Sequence, residues 1–132
     1  SAPVMRPPAA LEHCDVLVVE STYGDRAHES VDPGSGHEDV ITRTTRKGGV
    51  VLIPAFAVGR TESVLLQLAR LRQKGRLPDV PIYLNSPMAI EVADIYERHP
   101  EEHRLSADEI ELMYSLATPV HSVDESKLLN LR

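Results

Sequence analysis

Short β-branched apolar runs alternate along this chain with longer stretches of helical periodicity, and that alternation leaves few folds open. Asp15-Val16-Leu17-Val18-Val19-Glu20 and Val50-Val51-Leu52-Ile53 are continuous apolar runs, the pattern of strands buried on both faces. Pro81-Ile82-Tyr83-Leu84 reads as a third strand, and Val120-His121-Ser122-Val123 as an edge strand. Helices are predicted over about His37–Lys47, Arg60–Lys74, Ser86–Arg98 and Ser106–Leu116, with a short one after Ser122. The order β-α-β-α-β-α-α-β-α predicts an α/β fold with a mainly parallel sheet flanked by helices and right-handed crossovers.

Local signals place the boundaries. Gly48-Gly49 and Gly75 stop the first two helices. Ser86-Pro87 supplies a capping side chain with proline at the first helical position. Ser106 with Glu109, and Ser122 with Glu125, have capping-box spacing. The inward faces are expected to carry Val40, Ile41 and Thr44, then Val64, Leu65, Leu68 and Leu71, then Ala89, Val92, Ala93 and Tyr96. Residues 1–13, with three prolines, read as an irregular lead-in, and residues 26–36 as a loop.

Composition removes several function classes. At 132 residues the chain can bury a core without disulfides, and Cys14 is its single cysteine, so neither a disulfide framework nor a cysteine zinc module is expected. No apolar run approaches the roughly 18 residues of a membrane span, and no signal peptide is read at the start, so the expectation is a cytoplasmic protein with no membrane contact. The net charge of -6 argues against broad non-specific nucleic-acid binding by the chain alone. Aromatics at 4% and the absence of Trp argue against a base-stacking platform. Neither a Gly-x-Gly-x-x-Gly nor a Walker A pattern occurs, so no nucleotide cofactor is indicated. The six histidines form no zinc-binding pattern, because Pro100 interrupts any helix through His99 and His103; no metal ligand is assigned. Arg43, Arg46 and Lys47 are assigned to the negative end of a helix dipole rather than to RNA.

In open parallel sheets ligands gather beyond the carboxyl ends of the strands. Three segments meet that condition: Glu20-Ser21-Thr22, Phe56 to Arg60, and Asn85-Ser86-Pro87. A carboxylate closing an apolar strand can orient a histidine or hold a proton, and it can equally cap a local turn. Arg60 at a helix start offers a donor fork suited to phosphate, and Ser86 could donate to the same anion. The plainer alternatives are a solvated Arg60 and a purely structural N-cap at Ser86.

Taken jointly, four segments resemble the β-CASP branch of the metallo-β-lactamase superfamily, which includes RNase J and the endonuclease subunit of the cleavage and polyadenylation specificity factor. They are Asp15-Val-Leu-Val-Val-Glu-Ser-Thr-Tyr-Gly-Asp-Arg26, Gly48-Gly-Val-Val-Leu-Ile-Pro-Ala-Phe-Ala-Val-Gly-Arg60, Pro81-Ile-Tyr-Leu-Asn-Ser-Pro-Met-Ala89 and, more weakly, Ala93-Asp-Ile-Tyr96. The resemblance implies a zinc-dependent hydrolase of RNA processing, with two zinc ions in a lactamase domain and RNA in a cleft between that domain and an inserted β-CASP domain. It assigns Glu20 a catalytic role beside a histidine, and gives Arg60 and Ser86, with Ser21, Thr22 and Phe56, to the substrate side. The family's His-x-His-x-Asp-His motif is absent here. The chain therefore reads as a middle segment: residues 1–24 as the junction and last strand of the lactamase part, residues 25–132 as a partial β-CASP domain, inert by itself. The rival readings are a non-catalytic RNA-binding or subunit-contact module of an inactive paralogue, and an unrelated small phosphate binder. Apolar strands left without their neighbours also predict a homo-oligomer.

Overall fold

The computed structural model describes residues 4–27 and 33–131. Among these residues lie five helices and a small parallel sheet: α1 (Pro33–Thr45), α2 (Arg60–Gln73), β1 (Tyr83–Leu84), α3 (Pro87–Arg98), a 3-10 turn (Pro100–Glu102), α4 (Ala107–Ser115), β2 (Thr118–Pro119) and α5 (Val123–Leu129). The class is α/β, as the alternation of elements implies.

Helix α2 is the hub, because it is apolar on two sides. Leu65 and Leu66 join Val4, Tyr96, Leu105, Ile110, Met113 and Ala117 in one cluster, which packs α2 on α4. Leu68 and Leu71 join Ile41 and Leu77 in a second cluster, which packs α2 on α1. The predicted inner positions Ile41, Leu65, Leu68, Leu71, Ala89 and Tyr96 are buried, whereas Val40 is exposed. Leu66 and Ala69 widen the buried face of α2 beyond the stripe that its periodicity marks.

The helix boundaries follow their capping chemistry closely. Ser106 Oγ accepts from the Glu109 amide at 3.2 Å while Glu109 Oε2 accepts from the Ser106 amide at 3.2 Å, completing the capping box. At α5 only half of that arrangement forms. Ser122 Oγ accepts from the Glu125 amide at 3.1 Å, but the Glu125 carboxylate takes the His121 amide instead, at 2.8 Å. Helix α2 ends in a Schellman motif: Arg76 N–H donates to Leu71 O at 2.9 Å and Gly75 N–H to Arg72 O at 3.0 Å. Gly75, at φ +66°, holds the left-handed conformation that this ending requires.

The sheet departs most from expectation. β1 and β2 pair in parallel, Tyr83 opposite Thr118 and Leu84 opposite Pro119. Thr118 N–H donates to Ile82 O at 2.8 Å and Val120 N–H to Leu84 O at 3.0 Å. Pro119, which has no N–H, falls between these two donors, so its missing donor costs the ladder nothing; β2 is an edge strand. It lies two residues ahead of the predicted Val120–Val123, because Ser122 and Val123 are taken up by the cap and first turn of α5.

The predicted strands Asp15–Glu20 and Val50–Ile53 form no ladder. The physical reason is the lack of a partner: their backbone groups meet no neighbouring strand among the described residues, and Val18 is 92% and Leu52 86% exposed. Val51 alone among them packs partly against the α1–α2 cluster. Two smaller corrections accompany these. Of the loop expected over 26–36, residues 28–32 lie outside the described residues, and from Pro33 onward the chain is already α1, with proline at the first helical position where its missing N–H is harmless. The lead-in is irregular as expected, but it is anchored: Val4 is fully buried, Arg104 N–H donates to Val4 O at 2.9 Å, and Met5 bridges His103.

Candidate functional site at the helix starts

Arg60 owes its position to the turn before α2. The Phe56 carbonyl accepts from both the Thr61 amide, at 3.2 Å, and Thr61 Oγ1, at 2.8 Å, which folds the Phe56–Gly59 loop over the helix start. Gly59 is the N-cap, with φ +79° and no side chain to cap the helix. The start of α2 is therefore left without a capping side chain, and Arg60 stands exposed at its first position. Among the described residues Arg60 makes no ion pair. Phe56 itself is 87% exposed, its ring resting on nothing that would bury it.

Ser86 follows β1 and caps α3. Its Oγ accepts from the Ala89 amide at 3.3 Å, and Pro87 opens the helix. The hydroxyl hydrogen remains available as a donor, so the cap and a role toward an anion are compatible. Next to it, Asn85 Nδ2 donates to Ser126 Oγ at 3.0 Å, tying the carboxyl end of β1 to α5.

Glu20 lies in a turn. Its Oε1 accepts from the Thr22 amide at 2.6 Å, and Ser21 O accepts from the Gly24 amide at 2.9 Å. Hydrogen bonding from Thr22, first through its side chain and then through its backbone, holds the Glu20 carboxyl below its ordinary pKa. Glu20, Ser21 and Thr22 are all exposed. Glu20 thus caps its local turn in this structure. No hydrogen bond or ion pair among the described residues joins it to Arg60 or Ser86. Nor do three or more His, Cys, Asp or Glu side chains among the described residues form a group able to hold a metal ion, so the chain offers no ligand set that fits the zinc pair implied by the resemblance. His103, one of the two histidines considered for such a role, is buried; its Nε2 lies 3.0 Å from Tyr96 O, its Nδ1 accepts from the Leu105 amide at 3.3 Å, and its ring stacks on Tyr96.

Sequence reasoning missed Glu62. It occupies the third position of α2, where an acidic residue ordinarily answers the helix dipole from the surface. Here it is fully buried, and neither carboxylate oxygen has a hydrogen-bond partner of normal geometry. Burial pushes its pKa up, opposed in part by the backbone N–H groups of Glu62 itself and of Gly59. Its charge in turn adds to burial in raising the pKa of Tyr96 and Tyr114. The only sequence signal is that Glu62 lies three residues before Leu65 and four before Leu66, on the face that α2 buries.

An exposed arginine at one helix start and a serine cap at another, the second at the end of a parallel strand, are features that can each favour an anion. The chain belongs to the Beta-Casp domain family, whose profile matches residues 61–132. It is 38% identical over 96 residues to the protein named Ribonuclease TTHA0252 of Thermus thermophilus, covering 72% of this chain and 22% of that one. It is 36% identical over 90 residues to the Transcription termination factor FttA of Methanosarcina mazei, covering 66% of this chain and 14% of that one. It is 36% identical over 87 residues to the Cleavage and polyadenylation specificity factor 73 of Drosophila melanogaster, covering 64% and 13%. The chain thus spans about a fifth or less of the length of these relatives. Among the described residues no helix is long and apolar enough to cross a membrane.

Proposed function

We propose that this chain is the substrate-side segment of a cytoplasmic, zinc-dependent ribonuclease of RNA processing. Residues 1–24 are the junction and last strand of the lactamase part, and residues 25–132 are a partial β-CASP domain. The observation that carries this reading is Arg60, exposed and without an ion pair among the described residues, at a helix start with no side-chain cap hydrogen bond. Its guanidinium can take two phosphate oxygens in a fork, and the Ser86 hydroxyl can donate to a neighbouring one. Ser21, Thr22 and Phe56 line the same substrate side, the first two through hydroxyls and the third through an exposed ring. Glu20 serves a proton-transferring histidine supplied by another part of the protein. The described residues offer no ligand set for a zinc pair, so the hydrolytic chemistry such a pair would supply would have to come from outside this segment, and the segment is expected to bind RNA without cutting it.

Fluorescence anisotropy with a labelled single-stranded RNA tests this. Arg60→Ala is expected to weaken binding about tenfold, as follows from removing one charge-assisted interaction. The RNA should remain intact after incubation with added zinc. Unchanged affinity in the Arg60 variant, or zinc-dependent cleavage by this chain, contradicts the proposal.

The unpaired strands supply a second expectation, self-association. Asp15–Glu20 and Val50–Ile53 are apolar runs with no ladder among the described residues, and Val18 and Leu52 are 92% and 86% exposed, so a second copy would cover them. Light scattering at high protein concentration should give a mass of at least a dimer; a monomer across the concentration range would refute it.

A further inference from the structure

We propose that the adjoining C-terminal ends of α1 and α2 form a second contact surface for the RNA backbone, one that reads charge and not sequence. This inference rests on the reading of the chain as an RNA-side segment. Its ground is a segregation of charge that the net value hides. From Arg43 to Arg76 the sequence holds eight Lys or Arg and a single carboxylate, the buried Glu62. The remainder holds six Lys or Arg and nineteen Asp or Glu. An acidic chain therefore carries one strongly basic stretch.

The fold brings two parts of that stretch together, Arg46 and Arg76 sharing one hollow. The turn from Gly75 to Pro78 lies along the face of α1 that bears Glu38, Thr42 and Arg46, and together they line a hollow of about 360 Å³. Three of the arginines are already paired: Arg70 with Glu109, Arg72 with Asp79, and Arg76 with Glu38. Arg43, Arg46, Lys47 and Lys74 are exposed and make no ion pair among the described residues. The two helices end alike, with a lysine followed by a left-handed glycine. Lys47 precedes Gly48 at φ +72°, and Lys74 precedes Gly75 at φ +66°. Gly49 N–H donates to Thr44 O at 3.0 Å and Gly48 N–H to Thr45 O at 2.9 Å, so α1 closes with the same Schellman pattern as α2.

Helix dipoles alone ask for less than this. One cation near each C-terminus answers the partial negative charge there, and the effect fades within a turn. Four exposed cations on two helix ends that approach each other at Arg46 and the Gly75–Pro78 turn give a local positive potential that a polyanion would meet favourably. None of the residues lining the hollow is aromatic, so bases have nothing to stack on and the contacts fall on phosphates. The surface lies at the other end of α2 from Arg60, about 21 Å away along a 14-residue helix. A single strand held at Arg60 can then be followed along α2 by a second set of phosphate contacts.

The test is salt-dependent binding of labelled single-stranded RNA to the 132-residue chain. Compared are the unchanged chain, a variant with Arg43→Gln, Arg46→Gln, Lys47→Gln and Lys74→Gln, and a control with Arg26→Gln, Arg98→Gln, Arg104→Gln and Lys127→Gln, which removes equal charge elsewhere. Circular dichroism confirms that each variant keeps its helices. The patch variant should bind about tenfold or more weakly at low salt, and its plot of log K against log salt should flatten by about 2 to 3, at roughly 0.7 for each phosphate no longer neutralised. The control should change clearly less, and oligo-A and oligo-U should respond alike. Equal losses in the two variants, or an unchanged slope in the patch variant, overturn the inference. If Arg60→Ala weakens binding while the patch variant does not, only the second surface falls. If the unchanged chain binds no RNA, both readings fall.

Discussion

Replacing Leu66 with alanine is expected to destabilise the chain by about 3 kcal/mol, whereas Leu52→Ala should change stability by no more than about 0.5 kcal/mol. The two leucines are chemically the same and differ in surroundings. Leu66 is 1% exposed on α2, enclosed with Val4, Tyr96, Ile110 and Met113, so truncation leaves a cavity that α4 cannot close without moving. Leu52 is 86% exposed in a segment without a ladder. Urea unfolding at low protein concentration measures both: a lowered midpoint with unchanged slope for Leu66→Ala, and no shift for Leu52→Ala. Equal losses would mean that the segment around Leu52 is packed in solution.

The second large effect concerns Glu62 and has a definite dependence on pH. Burial raises its pKa in the folded chain, so folding takes up a proton at pH values between the ordinary carboxylate pKa and the raised folded one. The stability that goes with a protonated Glu62 is full below that ordinary pKa and is lost as pH rises toward the folded value. Above the folded value the penalty is constant. Glu62→Gln removes the ionisable group at nearly equal volume. It is expected to raise the melting temperature at pH 7, to do so less at pH 4, and to flatten the pH dependence between. Thermal melts at the two pH values decide it, and an equal shift at both would show that Glu62 is not the group that titrates. Tyr96 and Tyr114 also feel its charge, so both phenols should titrate at lower pH in the Gln variant.

The helices were legible because their signals are local. Ser86-Pro87, Ser106 with Glu109, and Gly75 act within one turn of the chain, and each sits where the sequence places it. The family was legible for a related reason, since its motifs sit at short connections such as Phe56 to Arg60 and Asn85 to Pro87, where a few residues shape the loop. The strands were less so. Asp15–Glu20 and Val50–Ile53 have the composition of buried strands, but a strand exists only with a neighbour, and composition does not say whether that neighbour is in the same chain. The candidate site divides the same way. Arg60 and Ser86 are placed by helix starts that can be read directly. Glu20 depends on groups beyond its own turn, and here it caps that turn.

Two features came from the tertiary structure alone. The apolar spacing of α2 puts Glu62 on the face that also bears Leu65 and Leu66, but only the tertiary structure, which brings it near Tyr96 and Tyr114, shows that the carboxylate is buried. The basic residues of α1 and α2 look like separate dipole partners along the sequence, and only the packing of Gly75 to Pro78 against α1 brings Arg46 beside Arg76. The sequence by itself determined which family the chain resembles, which residues stand at the starts of α2 to α5, and where the helices begin and end apart from the start of α1, since caps, turns and periodicity act over a few residues. The tertiary structure decided which apolar runs are buried, which cations share a surface and which carboxylate is cut off from water. Each of those is a property of neighbours brought together from distant parts of the chain.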